Sequence, residues 1–260
     1  MEVLRDAERI PTGGAKDRFV RKLFAAIAPT YDLMNVVMSA GSIHLWHRAF
    51  RRRTGLRPGD RALDVCTGTG ELALILTEQV GPEGEVFGLD FSPEMLAIAR
   101  EKSARRALRR NRHGGAGRVT WVEGDALDLP YPDDSFDAVS MGFALRNVSD
   151  LPRAIREMAR VARPGGRVLT LELSKPPSAL VRYPYFFYFY RVVPLLGRLV
   201  DRRTGRVGSI RPYTYLPASL VKFPDQRAVA GLFEEAGLVD VSYCGLSGGV
   251  VTLHVGRKPA

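Results

Sequence analysis

Apolar residues follow two rhythms along this chain. From 61 to 172, short apolar runs at 61–65, 85–90, 118–123, 136–143 and 167–172 alternate with stretches at 71–79, 93–108 and 151–161, whose apolar positions recur every three to four residues. The runs suit strands buried on both faces, and the wider spacing suits helices with one buried stripe. Their alternation predicts a doubly wound, mostly parallel α/β sheet. Ahead of it, 16–28 carries Phe19, Leu23, Phe24 and Ile27 at helical spacing until Pro29 interrupts, and 31–38 and 43–53 continue as shorter helices around Gly41. Behind it, 225–236 reads as a helix, and 239–246 and 250–255 as closing strands that bring the sheet to seven.

The rhythm breaks at 176–222. This insertion holds Tyr183-Pro184-Tyr185-Phe186-Phe187-Tyr188-Phe189-Tyr190 and a further apolar run at 192–196. Arg182, Pro184, Arg191 and Pro194 interrupt it, which argues against a membrane span of about 20 apolar residues. Two readings remain, a core helix or a helical lid over a greasy substrate that also touches a bilayer. The expected organisation is a flexible tail at 1–15 and one domain at 16–260. That domain divides into a helical cap at 16–54, a ligand-binding core at 55–175, the lid at 176–222, and a closing helix and strands at 223–260.

Candidate chemistry falls at the strand ends. Asp64-Val65-Cys66-Thr67-Gly68-Thr69-Gly70 follows the first strand, Asp90 closes the second, and Gly124-Asp125-Ala126 follows the third. Glycines let the backbone turn tightly against a ligand, and a carboxylate at the second strand end can accept from both hydroxyls of a ribose. Gly68-x-Gly70-x-x-Ala73 with an acidic residue about 20 positions on also fits a dinucleotide site. Asp64, placed to meet the ammonium of an amino acid, and Asp125, placed to accept from an adenine amino group, favour S-adenosylmethionine instead.

Composition adds limits rather than chemistry. The 260 residues, 45% hydrophobic, suffice for one substantial core. Two cysteines, Cys66 and Cys244, offer neither a disulfide framework nor a zinc spacing, and polar 1–14 carries no apolar signal core, so a cytoplasmic protein is expected. The net charge of +10 comes from arginine, since only six of the 38 basic residues are lysine. The densest cluster, 105–118, reads as a solvated loop, so no nucleic acid is expected, and an anionic membrane surface is the better partner. His44 and His47 lack a nearby carboxylate or cysteine and are read as packing around Trp46, with no metal expected.

Further marks are Tyr31-Asp32-x-Met34-Asn35 with Ser39 and Trp46, Phe143-Ala144-Leu145-Arg146-Asn147-Val148, Arg160-Val161-x-x-Pro164-Gly165-Gly166 with Glu172-x-Ser174, and Gly248-Gly249-Val250-Val251. With the glycine loop, these make the chain resemble the class I methyltransferases that C-methylate the ring in menaquinone and ubiquinone biosynthesis. The resemblance implies a Rossmann-like fold, S-adenosylmethionine as methyl donor and a polyprenylated quinol as acceptor. From the aromatic insertion and the basic charge, peripheral contact with the inner face of a membrane is expected, and homo-oligomerisation is left open. By position it makes Thr69, Asp90, Asp125 and Ala126 donor-binding, with Asp64, Gly68 and Gly70 shaping the same pocket. Gly142 stands where some members have a serine, and Ile43 where many have a histidine, so His44 receives no catalytic role.

Methyl transfer from a sulfonium needs alignment and dryness rather than a covalent nucleophile. A quinol carbon does need a partner for its neighbouring hydroxyl. Arg146 and Asn147 are expected to orient a water or hold that oxyanion, and Tyr31 and Asp32 to complete the pocket or, alternatively, to cap and pack a helix start. Demethylmenaquinol is the expected acceptor, with the methoxy-polyprenyl-benzoquinol of ubiquinone synthesis as the alternative.

Overall fold

The computed structural model describes residues 2–110, 117–200, 207–208 and 210–260. Its strands are β1 (Arg61–Val65), β2 (Glu85–Asp90), β3 (Arg118–Glu123), β4 (Phe136–Gly142), β5 (Ala162–Leu173), β6 (Val239–Leu246) and β7 (Val251–Arg257). They form one seven-stranded sheet in the order β3-β2-β1-β4-β5-β7-β6. The first five pair in parallel, and β7 runs antiparallel between β5 and β6. Strand order reverses between β1 and β4, which opens a crevice beyond their carboxyl ends.

The helices are α1 (Glu2–Arg9), α2 (Gly13–Ile27), α3 (Tyr31–Met38), α4 (Ile43–Arg51), α5 (Glu71–Val80), α6 (Pro93–Arg110), α7 (Leu151–Val161), α8 (Ala179–Phe187), α9 (Val193–Val200), α10 (Pro212–Val221) and α11 (Gln226–Glu235). Several bury the stripe that their sequence spacing marks, whereas α8 has no fully buried residue and α10 is buried on all sides. In α7, Ala154, Ile155, Met158 and Val161 recur three or four apart and all are buried, while Asp150 caps the start by accepting from the Arg153 amide. Asp225 caps α11 the same way through the Ala228 amide.

Three segments depart from the sequence reading. Residues 2–9, expected as a tail, form α1, because Val3 and Ala7 lie four apart and bury against Ala218 of α10. Strand β5 starts five residues early, at Ala162, and reaches its main register with β4 across an irregularity between Phe136 and Ala138. Within the basic cluster, residues up to 110 extend α6 rather than forming a loop, with Arg105 paired to Glu101 and Arg106 to Glu78. The part of that cluster at 111–116 lies outside the described residues.

The aromatic insertion is core and cover at once. Pro184 sits inside α8, and the chain then runs through a π-helical turn, Tyr188–Val192, into α9. Phe189 and Val193 are buried in the main core, whereas Leu180 is 88% and Tyr183 70% exposed. Among the described residues no single helix is long and apolar enough to cross a membrane. The one bent pair that passes by composition, 13–38 with 43–51, turns through 93° and buries Leu23, Ile27, Met34 and Phe50 in the protein itself.

Candidate active site

Two cavities open at the carboxyl ends of the parallel strands. The first, of about 360 Å³, is lined by Cys66, Gly68, Asp90, Phe91, Met95, Asp125, Ala126 and Gly142, with Asp17, Val20 and Phe24 of α2 above them. The β1–α5 loop makes its floor. Cys66, Gly68 and Gly70 all take positive φ (52°, 55° and 83°), and at Gly70 a Cβ would lie 2.5 Å from the Trp121 ring. Gly70 therefore makes room for Trp121, and it is Gly68 that lines the cavity.

Asp90 is held at this floor by two backbone amides, Gly68 N–H to Oδ2 at 2.8 Å and Ser92 N–H to Oδ1 at 2.9 Å. With about four acceptor sites on a carboxylate, capacity remains for a ligand hydroxyl beyond these amides and the Phe91 amide. Burial pushes its pKa up to about 6 against the pull of those amides. Asp125 Oδ1 accepts the Leu127 amide at 2.9 Å, which leaves its other oxygen open to an amino group. Phe91, Met95 and Leu127 supply apolar walls between the two carboxylates. A diol acceptor, an apolar slot and an amino-group acceptor in that order fit the adenosine of S-adenosylmethionine.

Asp64 and Thr69 are placed otherwise than the sequence implied. Asp64 is fully enclosed and accepts the Thr67 hydroxyl at 2.6 Å, the Ser140 hydroxyl at 2.7 Å and the Ala73 amide at 3.2 Å, so its carboxylate lines neither cavity. Burial raises its pKa to about 6, and the three donors oppose that rise. Its work is to tie the loop to β4 and α5. The Thr69 hydroxyl donates to Asp32 Oδ1 at 2.6 Å, and Lys102 Nζ reaches Asp32 Oδ2 at 2.8 Å while also pairing with Glu71. Asp32 and Thr69 thus meet each other, forming a clamp between α3, the loop and α6.

The second cavity, about 340 Å³, lies beside the first and shares Tyr31 and Phe143 with it. Its other walls are mostly apolar: Met38, Ile43, Trp46, Leu173, Phe189, Leu216 and Val250, with Arg146 and Tyr185 among them. Phe143 has φ of 55°, rare for a bulky residue, and its carbonyl accepts Arg146 Nη1 at 2.8 Å and Asn147 Nδ2 at 3.2 Å. The turn after β4 thereby splits the two predicted residues. Arg146 lines the second cavity, and Asn147 lines the first, where its Oδ1 accepts the Tyr215 hydroxyl at 3.0 Å.

Arg146 forms a buried ion pair with Glu172, whose side chain also accepts the Arg146 amide. Lys16 Nζ holds the outside of the same turn through the carbonyls of Arg146 at 3.1 Å and Val148 at 2.7 Å, and burial lowers its pKa. Tyr31 bridges both cavities, and burial raises its phenol pKa despite a hydrogen bond with Asn35. Of the four residues expected around the acceptor, Tyr31 and Arg146 share the second cavity, Asn147 faces the first, and Asp32 faces neither.

Glu172, Lys102, Tyr185 and Tyr215 were not singled out from the sequence as site residues. For Glu172 a signal existed, since a carboxylate inside an apolar strand run requires a buried partner. Tyr185 and Tyr215 sit far along the chain and meet the site only through the fold. Among the described residues, no group of three or more His, Cys, Asp or Glu is placed to hold a metal.

Comparison with known proteins bears on the fold and the family. The structure resembles a SAM-dependent methyltransferase from Thermotoga maritima (TM-score 0.61, 18% identity, 91% of this chain and 99% of that one) and one from Aquifex aeolicus (TM-score 0.57, 19% identity, 87% and 97%). In sequence it is 44% identical to a demethylmenaquinone methyltransferase of Symbiobacterium thermophilum over 95% of this chain and 96% of that protein. It is 41% identical to the ubiquinone/menaquinone biosynthesis C-methyltransferase UbiE of Pseudomonas paraeruginosa over 94% and 90%. The ubiE/COQ5 methyltransferase family profile matches residues 12–258, and the chain belongs to that family.

Proposed function

We propose that the protein transfers a methyl group from S-adenosylmethionine to the ring carbon of a demethylmenaquinol, giving menaquinol. The observation that carries this reading is the pair of cavities meeting at Tyr31 and Phe143, one suited to a nucleoside and one lined by aromatic and aliphatic side chains. Bound in the first cavity, the donor supplies an electrophilic methyl on a positively charged sulfur. Asp90 and Asp125 hold its ribose and base, and Gly68 and Asn147 lie toward its amino-acid end. Asp64, Thr69, Asp32 and Lys102 act one step back by fixing the loop.

The acceptor ring lies in the second cavity with its reacting carbon toward the Tyr31–Phe143 opening. A lone pair on the neighbouring hydroxyl oxygen pushes into the ring as that hydroxyl gives up its proton. The carbon forms its bond to the methyl, and the pair from the broken carbon–sulfur bond stays on sulfur. The hydrogen on the methylated carbon then leaves as a proton, the oxygen regains one, and one proton is released to water overall. A guanidinium has no acceptor and does not serve as a base at neutral pH, so Arg146 contributes charge toward the developing oxyanion. Glu172 keeps that guanidinium in place.

The isoprenoid tail and a membrane contact belong to the same reading. Leu33, Val36 and Leu45 near α3 and α4, and Leu180, Tyr183, Phe187 and Leu195 on the lid, are exposed around helices that contribute to the second cavity. Such residues favour a peripheral seat on a lipid surface, from which a quinol can enter. The test is direct. Purified protein is incubated with labelled donor and, separately, with short-chain demethylmenaquinol and methoxy-polyprenyl-benzoquinol, and products are identified by mass. Methylated naphthoquinol is expected; label only in the benzoquinol product would transfer the reading to ubiquinone synthesis, and label in neither would end it.

A further inference from the structure

The second cavity contains a polar feature that its apolar walls do not explain. Among the described residues, few buried polar side-chain atoms lack a hydrogen-bond partner, and two of them, Arg146 Nε and the Tyr185 hydroxyl, belong to residues lining this cavity. None of the others belongs to a residue lining either cavity. A buried donor without a partner is costly, and in native proteins such groups are rare unless a ligand or water completes them. Arg146 Nη1 is committed to Glu172 and the Phe143 carbonyl. The Tyr185 ring is also committed, stacked on Phe189 at 5.3 Å and packed against Phe186 at 5.4 Å, which aims its hydroxyl.

The two groups are electrostatic neighbours. Burial raises the Tyr185 phenol pKa, and the Arg146 charge works against that rise, so the phenol keeps its proton and remains available as a donor. Resting on the proposed quinol methylation, we infer that Tyr185 is a further catalytic residue: its hydroxyl and Arg146 Nε–H together receive the acceptor oxygen next to the carbon that is methylated. Two donors converging on one oxygen stabilise the negative charge that builds there during transfer. The tyrosine comes from the lid, so the oxyanion site is complete only when α8 packs over the cavity.

Tyr185→Phe removes the hydroxyl and keeps the ring contacts. The experiment compares wild type and Y185F with a one-isoprene demethylmenaquinol as substrate. It also uses the matching 2-prenyl-1-naphthol, which lacks the hydroxyl next to the reacting carbon, as a competitive inhibitor. Wild type is expected to bind the diol about tenfold more tightly than the mono-ol, and Y185F to bind the two almost equally. Y185F should also lose about tenfold or more in kcat while its donor Kd stays unchanged. An equal loss of affinity for both ligands, or a kcat within twofold of wild type, would overturn the assignment. Absence of methylated quinol from the wild-type enzyme would instead refute the quinol reading itself.

Discussion

The two cavities are built from different materials. The first is centred on residues at and just beyond the ends of β1, β2, β3 and β4, with α2 across its top, and its key carboxylate is fixed by amides 2.8 and 2.9 Å away. The second is almost all side chain, assembled from α3, α4, the turn after β4, the end of β5, the lid and the turn before β7. A site made at the ends of a paired sheet is held by the ladder and hardly depends on what surrounds it. A site made from appended helices can be reshaped without touching the sheet. On the proposed reading, the donor, common to many methyltransferases, is bound chiefly by the frame, and the acceptor is selected by the additions.

This contrast breaks first at Arg146. Arg146→Ala should lower kcat by about 100-fold or more while leaving the donor Kd within twofold, measured by turnover and calorimetry. Truncation also strands Glu172 in the interior, so Arg146→Ala with Glu172→Gln should recover thermal stability but not activity. Recovery of turnover in the double variant would make Arg146 structural only.

The reciprocal change is Asp90→Asn, which should weaken donor binding by about 10- to 100-fold and leave the acceptor KM nearly unmoved. A smaller effect separates the cavities by pH. Asp90 has its pKa pushed up to about 6 in the free protein, and ribose hydroxyls donate to its ionised form. Lowering pH from 7.5 to 5 should therefore weaken donor binding by about tenfold, and Asp90→Asn should flatten the profile. For folding the sign reverses. The raised pKa values of Asp64 and Asp90 favour the donor-free fold below pH 4, and that contribution is lost as pH rises through about 6. Thermal melts without donor should show less of this decline in Asp90→Asn.

The smallest expected effect is at the clamp between α3, the β1–α5 loop and α6. Asp32 is partly exposed and paired with Lys102 and Thr69, so Asp32→Asn should cost about 1 kcal/mol or less of stability and alter kcat only about twofold. A loss as large as that of Arg146→Ala would return Asp32 to the reacting centre.

What could be read in advance follows the same division. The strands at 61–65 and 85–90 were legible to the residue, because burial on both faces leaves an apolar run with polar ends, and 118–123, an edge strand with no fully buried residue, was legible from its short β-branched and aromatic run. Asp90, Asp125, Ala126 and Gly68 were legible because strand-end position alone places them at the crevice. Asp64 was misplaced for a reason internal to strands. It lies within β1, where successive side chains face opposite sides of the sheet, and the partners that absorb its carboxylate include Ser140, 76 positions away. The Asp32–Thr69 contact spans 37 positions, and Tyr185 lines the same cavity as Arg146 only because the lid folds back. Helix α1 was passed over although Val3, Ala7 and Ile10 form a stripe, since its polar composition hid a partner face on α10.

The central claim is that donor and acceptor occupy separate cavities that meet at Tyr31 and Phe143. A crystal structure with S-adenosylhomocysteine and a one-isoprene demethylmenaquinone tests it most directly. The predicted result places the ribose on Asp90, the sulfur at the Tyr31–Phe143 opening, and the unsubstituted ring carbon facing that sulfur from among Trp46, Arg146 and Leu216. A quinone ring bound outside the second cavity, or turned with that carbon away from the sulfur, would contradict it.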